Sequence, residues 1–242
     1  MCRKSANPVH LYREAGISAS KTGGIAVQIY DFPLPPLDER MYVVLEEREA
    51  LVIDPSVNQA AVDLMEEHKI EKAVILLTHE HFDHITGVDF FRNLFGAKTL
   101  CSGECAVGIQ DTRKNLSARY EIFYLMNPSH NREEYAKMCA APFVCAADET
   151  FENYKLLQWC GHSVELISTP GHSPGSSCIL IDKKHLFSGD SLVNGFEVIT
   201  RYPGGSRKRY EECAMPFFRR LGGDTIVYPG HGNRAPIRQW SI

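Results

Sequence analysis

The chain has 242 residues, 44% of them hydrophobic and 23% charged, with 18 Gly and 13 Pro. That is long enough for one large domain or two small ones around a substantial core, and too ordinary for a collagen, a coiled coil or a disordered chain. Lys and Arg number 26 against 30 Asp and Glu, a net charge of −4, which speaks against nucleic acid as the main partner.

No window approaches the run of about 18 apolar residues that a membrane helix needs, so no membrane role is expected. The basic stretch from Met1 to Lys21 has no apolar segment behind it, and a cytoplasmic location is the expectation. Eight cysteines, at 2, 101, 105, 139, 145, 160, 178 and 213, are too sparse for a disulfide scaffold and include no C-x-x-C. They read as reduced thiols used as small hydrophobes, with a zinc or redox role for Cys101 and Cys105 as the alternative.

In chain order, Ile25–Tyr30 reads as a strand and 31–40, with its three prolines, as a loop. Met41–Leu45 and Ala50–Ile53 flank the charged turn Glu46–Glu49 as a hairpin. Val57–His68 has helical spacing, Ala73–Leu77 is a short apolar strand, and strand–helix–strand implies parallel pairing with a crossover. A helix follows at Gly87–Phe95. Residues 109–145, rich in Arg, Asn, Glu and aromatics, read as a helical insertion or cap within a single domain spanning 1–242. Strands at Val164–Ile167, Ser177–Ile181 and His185–Phe187, a helix at Arg209–Leu221 and a last strand at Thr225–Val227 complete the chain. Two successive halves, each a hairpin followed by a helix, are weakly indicated.

The chemistry concentrates in Thr78-His79-Glu80-His81-Phe82-Asp83-His84, directly after the apolar strand ending at Leu77. Imidazoles at alternating positions of an extended segment point to one side, and a carboxylate and a further imidazole follow as the chain turns. One loop can thereby present ligands to two adjacent metal ions. Imidazoles with a carboxylate suit zinc, with iron and manganese as alternatives. His172 in Pro170-Gly171-His172, Asp190 in Ser188-Gly189-Asp190 and His231 in Pro229-Gly230-His231 each lie on a glycine-containing turn at a strand end.

Gly171-His172-Ser173-Pro174-Gly175 matches the nucleophile-elbow pattern G-x-S-x-G, but a strand rather than a helix follows, so a serine hydrolase is not expected. Asp54 reads either as an outer acceptor for a ligand imidazole or as a helix N-terminal carboxylate. Arg201, Arg207, Lys208 and Arg209 read as a solvated helix start rather than an anion clamp. His130 and His162 read as surface residues.

From Met41 to Gly232 this set resembles the metallo-β-lactamase superfamily. The resemblance implies a four-layer αββα sandwich with the metals at one edge between the two sheets. It implies that His79, His81 and His172 hold one metal, that Asp83, His84 and His231 hold a second, and that Asp190 bridges them. A β-lactamase proper typically has Cys or Ser at the position of Asp190, and a flavodiiron protein has Glu at that of His81, so neither activity is expected. Leu186–Leu192, Tyr202–Gly205 and Val227–Gly232 look most like glyoxalase II and its relatives, thioester hydrolases. Two departures stand out: Val198-Ile199-Thr200-Arg201 replaces the usual Gly-Arg-Thr-Asp, and eleven residues follow His231, so a C-terminal glutathione-gripping region is not expected.

The expected cofactor is therefore a pair of zinc ions. They would lie about 3.5–4 Å apart and share a hydroxide that attacks the carbonyl of a small thioester or related acyl substrate. Asp83 is the candidate catalytic residue, orienting that hydroxide and shuttling its proton. A lactone hydrolase of the same superfamily and a mononuclear non-haem iron oxidoreductase of the persulfide dioxygenase type are the alternatives. The partner is a small acyl substrate; substrate-binding residues and oligomeric state are not legible.

Overall fold

A computed structural model describes residues 27–34, 37–119, 141–193, 197–240 and 242. Two six-stranded sheets make up its centre. The first runs β1 (Gln28–Leu34), β2 (Glu39–Glu46), β3 (Glu49–Ile53), β4 (Lys72–Leu76), β5 (Lys98–Ser102) and β6 (Glu149–Phe151), in that order across the sheet. The second contains β7 (Tyr154–Trp159), β8 (His162–Ser168), β9 (Ser177–Ile181), β10 (His185–Gly189), β11 (Ile226–Pro229) and β12 (Ala235–Pro236), again in sequence order. Helices α1 (Gln59–Glu67), α2 (Val88–Phe95) and α3 (Gly103–Gly108) precede β6. Between β10 and β11 lies α4, built from Arg207–Arg209, a π-helical Tyr210–Ala214 and Met215–Phe218.

Period-two alternation explains the layering. On β2, Met41, Val43 and Leu45 face outward against Ala61, Val62 and Met65 of α1 and Phe91 of α2. Tyr42 and Val44 face inward, where they meet Val164, Ile179, Phe187 and Tyr228 of the other sheet. On β9 the split repeats: Ile179 and Ile181 point to the inter-sheet core, Cys178 and Leu180 to Ala214 and Phe218 of α4. The order is helix, sheet, sheet, helix, the αββα sandwich. Phe187 stacks on Tyr228 at 4.8 Å and meets Tyr42 edge-on at 5.2 Å, at the middle of the inner layer.

Each half runs hairpin, helix, parallel strand: β2–β3, α1, β4 in one and β9–β10, α4, β11 in the other. This places the C-terminal ends of β3 and β4, and of β8, β10 and β11, along one edge of the sandwich, where side chains from separate segments converge.

The region 31–40 is not all loop. β1 continues through Leu34, with Pro33 opposite Arg40, and β2 starts at Glu39. β1 is the edge strand of its sheet, a place where a proline's missing N–H costs least. Thr225–Val227 is not the last strand, since β12 pairs with β11. Ile25 and Ala26, the 120–140 core of the 109–145 segment and His130 lie outside the described residues. The flanks of that segment are pinned together: Asn115 Nδ2 donates to the Phe143 carbonyl at 2.8 Å, and the Cys145 N–H donates to the Ile109 carbonyl at 3.1 Å. Among the described residues no helix is long and apolar enough to cross a membrane. Cys101 on β5 and Cys105 on α3 are buried free thiols, and burial, together with the Cys101 hydrogen bond, holds Cys105 well above the usual thiol range.

Candidate metal centre

The chain leaves β4 extended, so that His79 and His81 project to the same side. A 3-10 turn at Phe82–His84 then swings Asp83 and His84 beside them. His172 arrives on the turn after β8, Asp190 directly after β10 and His231 directly after β11. Three sets of potential ligand atoms result, each with its members within 4.8 Å of one another: the groups His79, His81 and His172, and Asp83, His84 and His231, together with Asp54, His79 and His84 behind them. In the first, His81 Nδ1 lies 3.1 Å from His79 Nε2 and 2.9 Å from His172 Nε2. Asp190 stands between the groups. Its Oδ2 is 3.4 Å from His172 Nε2, and its Oδ1 is 3.5 Å from both His84 Nε2 and His231 Nε2. Asp83 Oδ2 is 3.6 Å from His231 Nε2 and 3.8 Å from His84 Nε2.

The far nitrogens of the rings are anchored. His172 Nδ1 donates to the Ile199 carbonyl at 2.7 Å, and His231 Nδ1 to the Leu37 carbonyl at 2.8 Å. His84 Nδ1 donates to Asp54 Oδ2 at 3.0 Å. His79 Nδ1 meets the Thr78 hydroxyl at 3.1 Å, which itself donates to Asp54 Oδ2 at 2.5 Å. Such outer hydrogen bonds fix tautomer and ring orientation, leaving the inner nitrogen as a lone-pair donor. Asp54 thus serves both groups, directly and through Thr78. It is no helix cap, because Asn58 caps α1 by accepting from the Ala61 N–H.

Two glycines make the convergence sterically feasible. A Cβ on Gly230 would stand 2.3 Å from Asp190 Oδ1 and 2.8 Å from His84 Cε1, and Gly189 turns at φ +48° against Thr78.

Electrostatics separates the two groups. Burial holds His79, His81 and His172 below the ordinary imidazole range, so these rings are neutral, as metal ligation requires. Burial alone would also lower His84 and His231, but the carboxylates of Asp83 and Asp190 overcome it. His84 is raised well above the usual value, and His231 is pushed up to about 9. Burial would raise Asp190, yet His231, His172 and His84 hold it well below the carboxylate range. The carboxylates that favour a proton on His84 and His231 would favour a cation there in the same way. Asp83 Oδ1, His84 Nε2 and Asp190 Oδ1 are buried without a hydrogen-bond partner among the described residues. Converging neutral nitrogens, ionised carboxylates and orphaned buried atoms together fit divalent cations.

A proton sitting on His231 competes with any cation. Below about pH 9 that proton must leave before the imidazole can ligate, so affinity at this group rises with pH. Chelator competition between about pH 7 and pH 8 should show up to about a tenfold gain per unit for one displaced proton. A flat profile would contradict the assignment.

All seven residues singled out in the sequence come together at this edge. Others behave differently. His162 is not a surface residue: it is buried on β8, with Nδ1 2.6 Å from Asp182 Oδ2, far from the ligand turns at the hairpin end of the sandwich. Arg207 pairs with Glu197 and Glu211, and Lys208 with Glu212, all exposed at the start of α4. The Ser173 hydroxyl is no nucleophile, since it is buried and donates to Glu80 Oε2 at 2.8 Å. Glu80 is masked in the sequence by the ligand-type histidines on either side of it. Alternation, which puts it on their opposite side, was the available signal. Glu39 is fully buried beside His231, both carboxylate oxygens lacking a hydrogen-bond partner among the described residues, and burial raises its carboxyl well above the usual range. Reading 31–40 as loop hid it.

A family profile described as the metallo-beta-lactamase superfamily matches residues 34–231. The hydroxyacylglutathione hydrolase GloC of Haemophilus influenzae is 27% identical over 199 residues, 80% of this chain and 85% of its own. The crystal structure of the BLEG-1 B3 metallo-beta-lactamase superposes with a TM-score of 0.71 at 28% identity, over 87% of this chain and 95% of that one. ETHE1 from Myxococcus xanthus shares the fold, with a TM-score of 0.65 at 20% identity over 87% of this chain and 80% of its own. With the profile spanning most of its length and this constellation at the strand ends, the chain belongs to the metallo-beta-lactamase superfamily.

Proposed function

We propose that this protein is a dinuclear metal-dependent hydrolase of small thioesters or related acyl substrates. The observation that carries the reading is the position of Asp190, within 3.5 Å of ring nitrogens from both ligand groups. The acyl class is supported by the likeness to a protein named hydroxyacylglutathione hydrolase. His79, His81 and His172 would hold one cation, Asp83, His84 and His231 a second, with Asp190 shared; zinc suits these donors, and iron or manganese would also be accepted. Bound there, the pair supplies Lewis-acid polarisation of a carbonyl and water activated near neutral pH.

The chain's own residues supply positioning and proton handling. Asp83 keeps one carboxylate oxygen beside His231 and the other without a hydrogen-bond partner among the described residues, which suits it to orient an attacking water and take its proton. Tyr202 stands edge-on to His81 and His172 at 5.5 and 5.6 Å and, with Phe82 and Leu116, forms an apolar wall beside the first group. His231 and Asp190 are the most exposed of the seven, their side chains 22% and 13% accessible, so substrate would enter from their side.

A panel of acyl thioesters, lactones and a β-lactam, each with and without prior chelation, tests the reading. Thiol release from thioesters, lost on chelation and restored by zinc, is the expected result. Turnover of a lactone or the β-lactam with every thioester untouched would overturn the substrate class.

A further inference from the structure

Between the two ligand-type histidines of the β4 loop, Glu80 points away from them and into the protein, where it is buried. Its carboxylate reaches the turn that carries His172. Oε2 accepts the Ser173 hydroxyl at 2.8 Å, and Oε1 accepts the Gly175 N–H at 3.3 Å. The turn is tied to itself as well. Ser173 N–H donates to Ser176 Oγ at 3.0 Å, the two hydroxyls lie 2.9 Å apart, and the Thr169 N–H donates to the Ser176 carbonyl at 2.9 Å. From the other side, Ser102 Oγ donates to the Gly175 carbonyl at 2.7 Å while capping α3. Nothing else fits around the carboxylate. A Cβ on Gly175 would come within 2.4 Å of Glu80 Oε2, and one on Gly108 within 2.5 Å of Glu80 Cγ.

We propose that Glu80 is a positioning residue that locks the His172 turn to the His79–His81 loop, and so sets the geometry and affinity of the three-histidine metal group. The inference rests on the proposed metal reading only in taking that trio as a metal site. Two ligands share the Glu80 loop and the third lies about ninety residues away in sequence, so their spacing depends on a link between the two segments. A buried carboxyl that accepts both a hydroxyl and a backbone N–H of the same turn is a stiff link. Its removal would let the turn relax without touching any ligand.

The test uses the full chain, metal-free, carrying Glu80→Ala, Ser173→Ala or both, with Glu80→Gln as the conservative variant. Zinc affinity is read by chelator competition, and amide hydrogen exchange is read across the whole chain. Glu80→Ala and Ser173→Ala should each weaken zinc binding, by about 10–100-fold for the first. The double variant should be no worse than Glu80→Ala alone, because both cut one link. Glu80→Gln, whose amide oxygen still accepts from Gly175, should recover most of the affinity. Exchange should quicken over 171–177 and stay unchanged in β2 and β3. Unchanged affinity and exchange, additive losses in the double variant, or equal acceleration throughout the chain would each overturn the proposal. If the unmodified chain takes up no zinc, the metal reading fails, and the local exchange alone decides whether Glu80 locks the turn.

Discussion

Replacing Asp190 by Ala is expected to lower kcat/KM on any thioester the protein turns over by about 10³-fold or more, the equivalent of ~4 kcal/mol in the barrier. No other carboxylate lies within 3.5 Å of ring nitrogens from both ligand groups among the described residues. Its loss also removes the main charge that lifts His231, and it leaves Asp83 as the remaining carboxylate near the Nε2 atoms of His84 and His231 among the described residues. The second group would then lose most of its affinity while the three histidines keep theirs, so the variant should carry fewer metal ions per chain than the unmodified protein. Folding should survive, because Asp190 follows the end of β10 on a turn and its side chain is partly accessible, 13%. Unmodified turnover by a fully metallated Asp190→Ala protein would remove the dinuclear reading.

Asp54→Ala should damage both the fold and the site. One carboxylate accepts the Thr78 N–H at 2.7 Å, the Thr78 hydroxyl at 2.5 Å and His84 Nδ1 at 3.0 Å, all of them buried. Truncation strands these donors. Each unsatisfied buried group costs about 1–3 kcal/mol, so a loss of a few kcal/mol should appear as a lower urea midpoint. Metal affinity should fall by about 10–100-fold, since both His79 and His84 lose the partner that orients them. Asp54→Asn divides the two effects. Its amide oxygen can keep the Thr78 N–H, but its NH₂, a donor only, accepts from neither Thr78 Oγ nor His84 Nδ1, so metal affinity should suffer more than stability. Unmodified zinc affinity in both variants would show that Asp54 only closes the strand end.

The layered fold and the ligand turns were legible for the same reason: each depends on local pattern. Continuous apolar runs on β2, β3 and β9 mark strands buried on both faces, and the histidine-rich loop after β4 could be read from spacing alone. β5 to β7 were missed because β6 is three residues long and β7 exposes Tyr154 and Leu156 on the side where a half-buried strand normally carries polar residues. Pro33 made an edge strand look like a loop and took Glu39 with it. His162 illustrates the remaining limit. Nothing adjacent in sequence marks it as buried, and the carboxylates that make that burial tolerable, Asp182 at 2.6 Å and Glu46 at 4.0 Å, come from other hairpins. Glu80 is a similar case, its partners Ser173 and Gly175 being 93 and 95 positions away.

The central claim is that seven residues hold two metal ions around Asp190 for hydrolysis. Elemental analysis of the purified chain, with thioester hydrolysis and oxygen uptake followed on the same sample, tests it most directly. Close to two divalent ions per chain with thiol release is the predicted result. Close to one iron per chain, with oxygen consumed when a persulfide is added and no thiol released, would contradict it.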